Sequence, residues 1–284
     1  MRIVLIVLGV SALLGGVTGC GDDATSDGKL RVVATTVQLG DFARQVGGHR
    51  VDVDTLLGAG TDPHDFEPRP SHAEAVAKAD VVLRSGGEVD EWLDDLVESA
   101  GGDAEVTVVG ERIGARGDDP HWWQDPRNVI RAVDLLGRMF DTVPRARAYA
   151  EKVRALDAEI ARCMESIPPE RRKLVTNHDA FGWFAARYDV EVLGSIIPGR
   201  STSAQPSARD VRELVEAIRR ERVETIFPES ALDQRLEEAV ARDAGAKVGE
   251  PLYADTLGPT GTYLAALRHD AAAMARGFGG SCDL

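Results

Sequence analysis

The sequence predicts an α/β protein of two lobes, each a parallel sheet flanked by helices, joined by one long rigid helix with a ligand cleft between the lobes. Three observations carry that expectation. Short Val- and Leu-rich runs alternate with helical periodicities through both halves of the chain, the pattern of helices laid over parallel strands. The alternation is broken once, between Pro144 and Ile167, by a long stretch with no Gly and no internal Pro. Finally, 284 residues at 43% hydrophobic content are enough for two domains with cores of their own.

The elements follow in order. Residues 1–19 carry one Arg and an apolar run from Ile3 to Leu14, which is short for a membrane span and fits a signal peptide. The "VTGC" that follows resembles a bacterial lipobox, so Cys20 is expected to become the lipidated first residue. Residues 20–29 are small and polar, a flexible tether. The first lobe, 30–143, has strand patterns at 30–36, 51–57, 80–84 and 105–109. Val89, Trp92, Leu93, Leu96 and Val97 follow helical spacing, and Ser71 with Glu74 has the spacing of a capping box for another helix.

Residues 144–167 read as the linking helix. Tyr149, Val153, Leu156, Ile160, Cys163 or Met164, and Ile167 step by threes and fours. Pro144 suits the first turn, the Pro168-Pro169 pair stops the run, and the rod would be roughly 36 Å long. The second lobe, 168–284, repeats the first scheme with strand patterns at 173–177, 191–197, 223–227 and 246–248. Val211, Leu214, Val215 and Ile218 form an amphipathic helix that Ser207 and Asp210 can cap.

The formal net charge is −14. With no basic stripe, nucleic acid is excluded as a partner. Acidity suits a cationic cargo, although solubility alone explains many acidic proteins. Export places the chain in an oxidising space. With Cys20 lipidated, Cys163 and Cys282 remain, which permits one disulfide. The alternative is that Cys163 is a buried thiol on the helix stripe.

Asp-Pro-His occurs twice, at 62–64 and 119–121. Proline fixes φ and removes a donor, so each copy belongs to an ordered loop. His64 follows the second strand pattern, His121 the fourth and His178 the fifth, and Asp255 follows the last. All four lie beyond the carboxyl ends of parallel strands, where α/β sheets bind ligands. Three neutral imidazoles and a carboxylate suit tetrahedral Zn²⁺. Spacing alone leaves these histidines between ligands and ordinary loop residues, while His49, His72 and His269 read as structural or solvated. Asp62, Asp65, Asp119, Asp125 and Asp179 stand near candidate ligands in sequence. Glu229 and Asp125 are taken as the acids that orient ligand rings, and the Asp118-Asp119 pair as solvated charge. Trp122 and Trp123 are either a stacking platform or, more in keeping with their size, a cleft wall or lobe-interface filler.

Five segments occur in order: "GTDPHDFEPRPSH", "DPHWWQDPRNV", "NHDAFGWFAARY", "FPES" and "LYADTLGPTGTYLAALRHD". Together they resemble the solute-binding lipoproteins of zinc and manganese ABC transporters, the cluster A-I or zinc-uptake-type family. The resemblance runs from about residue 30 to 275. It implies metal held between two α/β lobes with limited domain movement, and by motif it implies His64, His121, His178 and Asp255 as ligands. In manganese-selective relatives the third position is commonly Glu; His178 there tilts the choice toward Zn²⁺ over Mn²⁺, as the softer donor does. Many zinc members carry a long His-rich loop before the second ligand. Here "GERIGARGDDPH" is short and has no extra His, so any scavenging role of such a loop is absent. The function implied is a lipid-anchored, extracytoplasmic, monomeric protein that captures Zn²⁺ for a membrane permease without chemical turnover. The alternatives are a Mn²⁺-selective protein of the same kind and, in another class, a zinc hydrolase with Asp255 or Glu229 as base; no hydrolase motif is present. A further role in adhesion, assigned to some relatives, has no signature in the sequence.

Overall fold

The computed structural model describes residues 28–284 apart from 116 and 283. The expected signal segment, Cys20 and most of the tether lie outside the described residues. The first sheet contains β1 (Leu30–Ala34), β2 (Val51–Thr55), β3 (Val81–Arg84) and β4 (Glu105–Val108), all parallel in the order β2-β1-β3-β4. Val32 lies opposite Val53 and Val81, and Val81 opposite Glu105. The helices α1 (Val37–Gly47), α2 (Pro70–Lys78), α3 (Leu93–Ala100) and α4 (Val109–Arg112) connect and cover these strands, followed by α5 (Pro126–Met139) and α6 (Val143–Glu165).

The second lobe contains β5 (Lys173–Thr176), α7 (Gly182–Tyr188), β6 (Glu191–Ser195), α8 (Ala208–Glu221), β7 (Thr225–Ile226), α9 (Arg235–Ala244), β8 (Lys247–Val248) and α10 (Tyr263–Gly277). β5 pairs with β6 and β7 with β8, both parallel. A single parallel bridge, Thr176 to Phe227, joins the two pairs. The resulting order, β6-β5-β7-β8, repeats that of the first lobe. The strands are shorter than their sequence patterns, most of all at 223–227, where two residues remain. The apolar runs continue past the ladders because their last residues fill the core under the turning chain. Leu56 and Leu57 are buried beyond β2, and their N–H groups still donate to Ala34 and Thr35 carbonyls. Val109 begins α4 and does not extend β4.

Alternation along the strands divides the interior. Val32 and Leu83 face one apolar core while Val33 and Val82 face another; Leu174 and Val175 divide in the same way, as period-two side chains of doubly covered strands must. The largest core does not stop at a lobe boundary. It runs from the first sheet through Phe42, Trp122 and Trp123, along Tyr149, Val153, Leu156 and Ile160 of α6, to Leu174, Phe184 and Met274. α6 therefore has an apolar stripe buried against both lobes, and at 23 residues it is about 34 Å long. Pro144 sits in its first turn, where no intrahelical N–H is missed. Near its end Cys163 is bonded to Cys282, with Cα atoms 5.6 Å apart.

Local signals decide other helix starts. Ser207 accepts from Asp210 N while the Asp210 carboxylate accepts from Ser207 N, a reciprocal cap on α8. The capping box expected at Ser71 and Glu74 does not form. Pro70 opens α2 one residue earlier, His72 Nδ1 accepts from Arg69 N, and Glu74 pairs with Lys78 one turn on.

Candidate metal centre

Both Asp-Pro-His stretches are closed by the same hydrogen bond. Asp62 Oδ1 accepts from His64 N at 2.9 Å, and Asp119 Oδ1 accepts from His121 N at 3.0 Å. Each is an aspartate turn closed two residues on, with φ of the intervening proline fixed in advance. The sequence repeat is thus a repeat of one hydrogen bond, which holds a histidine at the rim of the first sheet, although the first copy runs into a 3-10 turn at Pro63–Asp65 and the second only at Trp122–Gln124. The other two groups come from the second lobe: His178 two residues beyond β5, and Asp255 in the turn between β8 and α10.

The four side chains meet. Their donor atoms all lie within 4.8 Å of one another. Asp255 Oδ2 is 3.6 Å from His64 Nε2 and 3.4 Å from His178 Nε2, Asp255 Oδ1 is 3.5 Å from His121 Nε2, and the His121 and His178 Nε2 atoms are 3.4 Å apart. Donors about 2.0–2.2 Å from a tetrahedral ion are separated by about 3.3–3.6 Å, so the spacings are those of a set arranged around one small cation. The side chains are at most 5% exposed. His64 Nε2 and Asp255 Oδ1 are buried with no hydrogen-bond partner, which is costly unless the missing partner is an ion.

Two of the imidazoles are oriented by carboxylates. Glu229 Oε1 accepts from His178 N and lies 2.7 Å from Nδ1; Asp119 Oδ1 lies 2.8 Å from His121 Nδ1. A carboxylate accepts only, so Nδ1 carries a hydrogen in either charge state and Nε2 faces the centre, where it offers its lone pair once the ring is neutral. Glu229 is 3% exposed and stands against a ligand-candidate ring, where the sequence reading places it. Asp125 does not. It caps α5 by accepting from Arg127 N and pairs with the Arg127 guanidinium. The acid that orients His121 is Asp119, whose side chain is 13% exposed and not solvated charge. The signal was the Asp-Pro-His spacing itself, which puts the acid two residues before the ring. Asp62 gives one carboxylate oxygen to the backbone of the His64 turn and neither to a ring, Asp65 is exposed, and Asp179 faces Arg200.

Burial opposes charge on His178, yet the adjacent Glu229 carboxylate, with Asp255 and Asp62 behind it, raises its pKa to about 9. Burial likewise opposes charge on Asp255, but His121, His64 and His178 around it hold its pKa well below the usual carboxylate range.

Contacts between the lobes fix the geometry. Trp123 Nε1 and Gln124 Nε2 both donate to Ala254 O, next to Asp255, and Tyr263 OH donates to Trp123 O. Trp183 Nε1 donates to Asp119 O. Trp123 also lies edge-on to His121 with centroids 5.5 Å apart, and Trp122 donates to Ser85 inside the first lobe. Both tryptophans are buried; they are wall and interface, and offer no stacking platform. A Cβ on Gly182, the first residue of α7, would stand 2.7 Å from Asp119 Oδ2, so that position leaves room for the carboxylate. The remaining histidines lie outside the centre: His49 is exposed, His72 serves α2, and His269 Nε2 lies 2.9 Å from Pro251 O.

Residues 32–277 match the family described as zinc-uptake complex component A, periplasmic. The manganese-binding lipoprotein MntA of Bacillus subtilis is 32% identical, with 89% of this chain and 92% of MntA covered. The zinc-binding protein TroA of Treponema pallidum is 31% identical, with 97% and 99% covered. The iron-binding protein YfeA of Yersinia pestis is 28% identical over 88% of this chain and 87% of its own. The solved structure of the periplasmic zinc-binding protein TroA superposes with a TM-score of 0.82 at 27% identity, covering 88% of this chain and 99% of that one.

Proposed function

From the premise that the chain belongs to the zinc-uptake complex component A family, we propose that it captures Zn²⁺ outside the cytoplasmic membrane and delivers it to the permease of an ABC importer. At the coarser level the chain is a metal-binding, substrate-binding component of a metal ABC transporter and is not an enzyme. The observation that supports binding at His64, His121, His178 and Asp255 is the convergence of four buried side chains whose donor atoms lie within 4.8 Å of one another, with four of the contacts at 3.4–3.6 Å. Four protein donors close a tetrahedral shell and leave no position for an activated water, which removes the ground for a hydrolase.

Zinc is favoured by the chemistry of the set. Three imidazoles are softer donors than Mn²⁺ ordinarily selects. One feature supports manganese as the second reading: both Asp255 oxygens face imidazoles, so the carboxylate can chelate with both and raise the coordination number, as a harder ion prefers. The relatives' names include manganese, zinc and iron. Lipidation of Cys20 would hold the protein beside its permease, in keeping with relatives named as lipoproteins.

The test is direct. Protein purified with equimolar Zn²⁺ and Mn²⁺ should retain one Zn²⁺ per chain by elemental analysis. The His64→Ala, His121→Ala double variant should retain none. Full metal content in that variant would refute the site, and manganese in the wild type would refute the choice of zinc.

A further inference from the structure

The three imidazoles are not held alike. His121 and His178 each have Nδ1 against a carboxylate, at 2.8 and 2.7 Å. His64 is equally buried, with a side chain 1% exposed, but neither of its ring nitrogens has a hydrogen-bond partner. Its position is therefore set by its main chain and by packing. Within the first lobe, Trp92 Nε1 donates to Pro63 O at 3.3 Å and the Trp92 ring packs on Phe66, with centroids 4.6 Å apart. Before it, residues 58–60 are exposed.

The remaining restraint comes from across the cleft. Asp62 closes the His64 turn with Oδ1; its other oxygen accepts from Thr202 Oγ1 at 2.6 Å. Ser203 Oγ donates to His64 O at 3.2 Å. Thr202 and Ser203 belong to the connection between β6 and α8 in the second lobe. That connection is itself tied to the His178 loop, because Asp179 N donates to Gly199 O at 3.0 Å. A short hydroxyl-to-carboxylate bond is of the stronger, charge-assisted kind.

We infer that Thr202 and Ser203 are positioning residues: a latch from the second lobe that holds the His64 loop in its ligating place and sets how long a bound cation stays. This rests on the metal-binding reading of the four-residue site. The latch touches no ligand atom. It acts through Asp62 and the His64 carbonyl, on the one imidazole that lacks a partner of its own. Its absence leaves the first-lobe contacts of His64 intact, so binding survives while the loop opens more often. Differences of this kind fall mainly on the dissociation rate.

The experiment compares wild type, Thr202→Val, Thr202→Ser, and the Thr202→Val, Ser203→Ala double variant, each loaded with Zn²⁺ and mixed with excess chelator in a stopped-flow instrument. Thr202→Val is expected to release Zn²⁺ about tenfold faster and the double variant faster still, the single step being what one charge-assisted hydrogen bond supplies. Thr202→Ser, which restores the hydroxyl, should return to within about twofold of wild type. Hydrogen exchange on the metal-free proteins gives a second readout: the His64 amide, which donates to Asp62, should lose protection in Thr202→Val while the strand amides keep theirs. A wild type that retains no divalent cation overturns the transport reading, and this proposal with it. A wild type that retains Zn²⁺, with a double variant that releases it no faster, overturns the latch alone. So does a Thr202→Ser variant as fast as Thr202→Val. If the variants are destabilised throughout, strand amides lose protection together with His64, and a merely structural role replaces the latch.

Discussion

Binding should expel a proton from His178, even at pH values where a free imidazole has none to lose. In the metal-free protein Glu229 and Asp255 flank this ring and its pKa stands at about 9. Nε2 must give up its proton before it can bind a cation. At pH 7.5 a group titrating at about 9 is almost wholly protonated, so one cation should displace about one proton, whereas an unshifted ring at about 6.5 would release about 0.1. The apparent affinity should therefore climb about 50-fold between pH 7 and pH 9, close to 2.3 kcal/mol, where an unshifted ring would give less than a twofold change. The assay is calorimetric titration at pH 7.5 in two buffers of different ionisation enthalpy, which counts protons directly. The same linkage acts on the metal-free fold. Because the folded value is raised, the charged ring's stabilisation is complete below about pH 6.5 and is lost as pH rises through about 9. Replacing Glu229 by Gln removes the nearest negative charge, so proton release at pH 7.5 should fall. Release of 0.3 proton or less from the wild type would falsify the reasoning that Glu229 and Asp255 together outweigh burial.

Three further outcomes are expected. Gly182→Ala places a methyl 2.7 Å from Asp119 Oδ2, so it should turn the carboxylate from His121 and weaken cation binding about 10- to 100-fold, as loss of a ring-orienting group does. Isothermal titration reads this, and unchanged affinity would show that His121 needs no such support. The Cys163–Cys282 bond closes a loop of 119 residues, so Cys282→Ala should cost about 3–5 kcal/mol and lower Tm on the order of 10 °C. Reductant should reproduce the loss in the wild type and leave the variant alone; a reductant-insensitive wild type would count against the bond. Cys20→Ala should move the protein from the membrane fraction to the medium or periplasm, because the tether would then have no acyl chains to hold it, and undiminished membrane retention would remove Cys20 as the anchor.

Much of the architecture was legible because periodicity is local. The strand patterns at 30–36, 51–57, 80–84, 105–109, 173–177 and 191–197 each contain a strand, and the unbroken stripe from Tyr149 to Ile160 reports a buried helix. Ser207 and Asp210 declare their cap in four residues. Other helices carry weaker local signals, and Ser71 does not cap α2 because Pro70 starts the helix one residue earlier. Motif order pointed to His64, His121, His178 and Asp255, and these are the four side chains that the fold brings within 4.8 Å of one another.

By itself, then, the sequence determined which groups exist and which local geometry each adopts: two Asp-Pro-His turns, a histidine beyond β5 and an aspartate beyond β8. Only the tertiary structure decided which acid serves which ring. Asp125 lies four residues after His121 and Asp119 two residues before it. One points into the first turn of α5 and the other at Nδ1, with Gly182 and Trp183 of the opposite lobe closing around it. Glu229 reaches His178 across 51 residues, and Thr202 reaches Asp62 across 140. Hydrogen bonds depend on direction over about 3 Å, and no one-dimensional pattern carries that information between lobes. It appears only when one continuous core joins the two lobes.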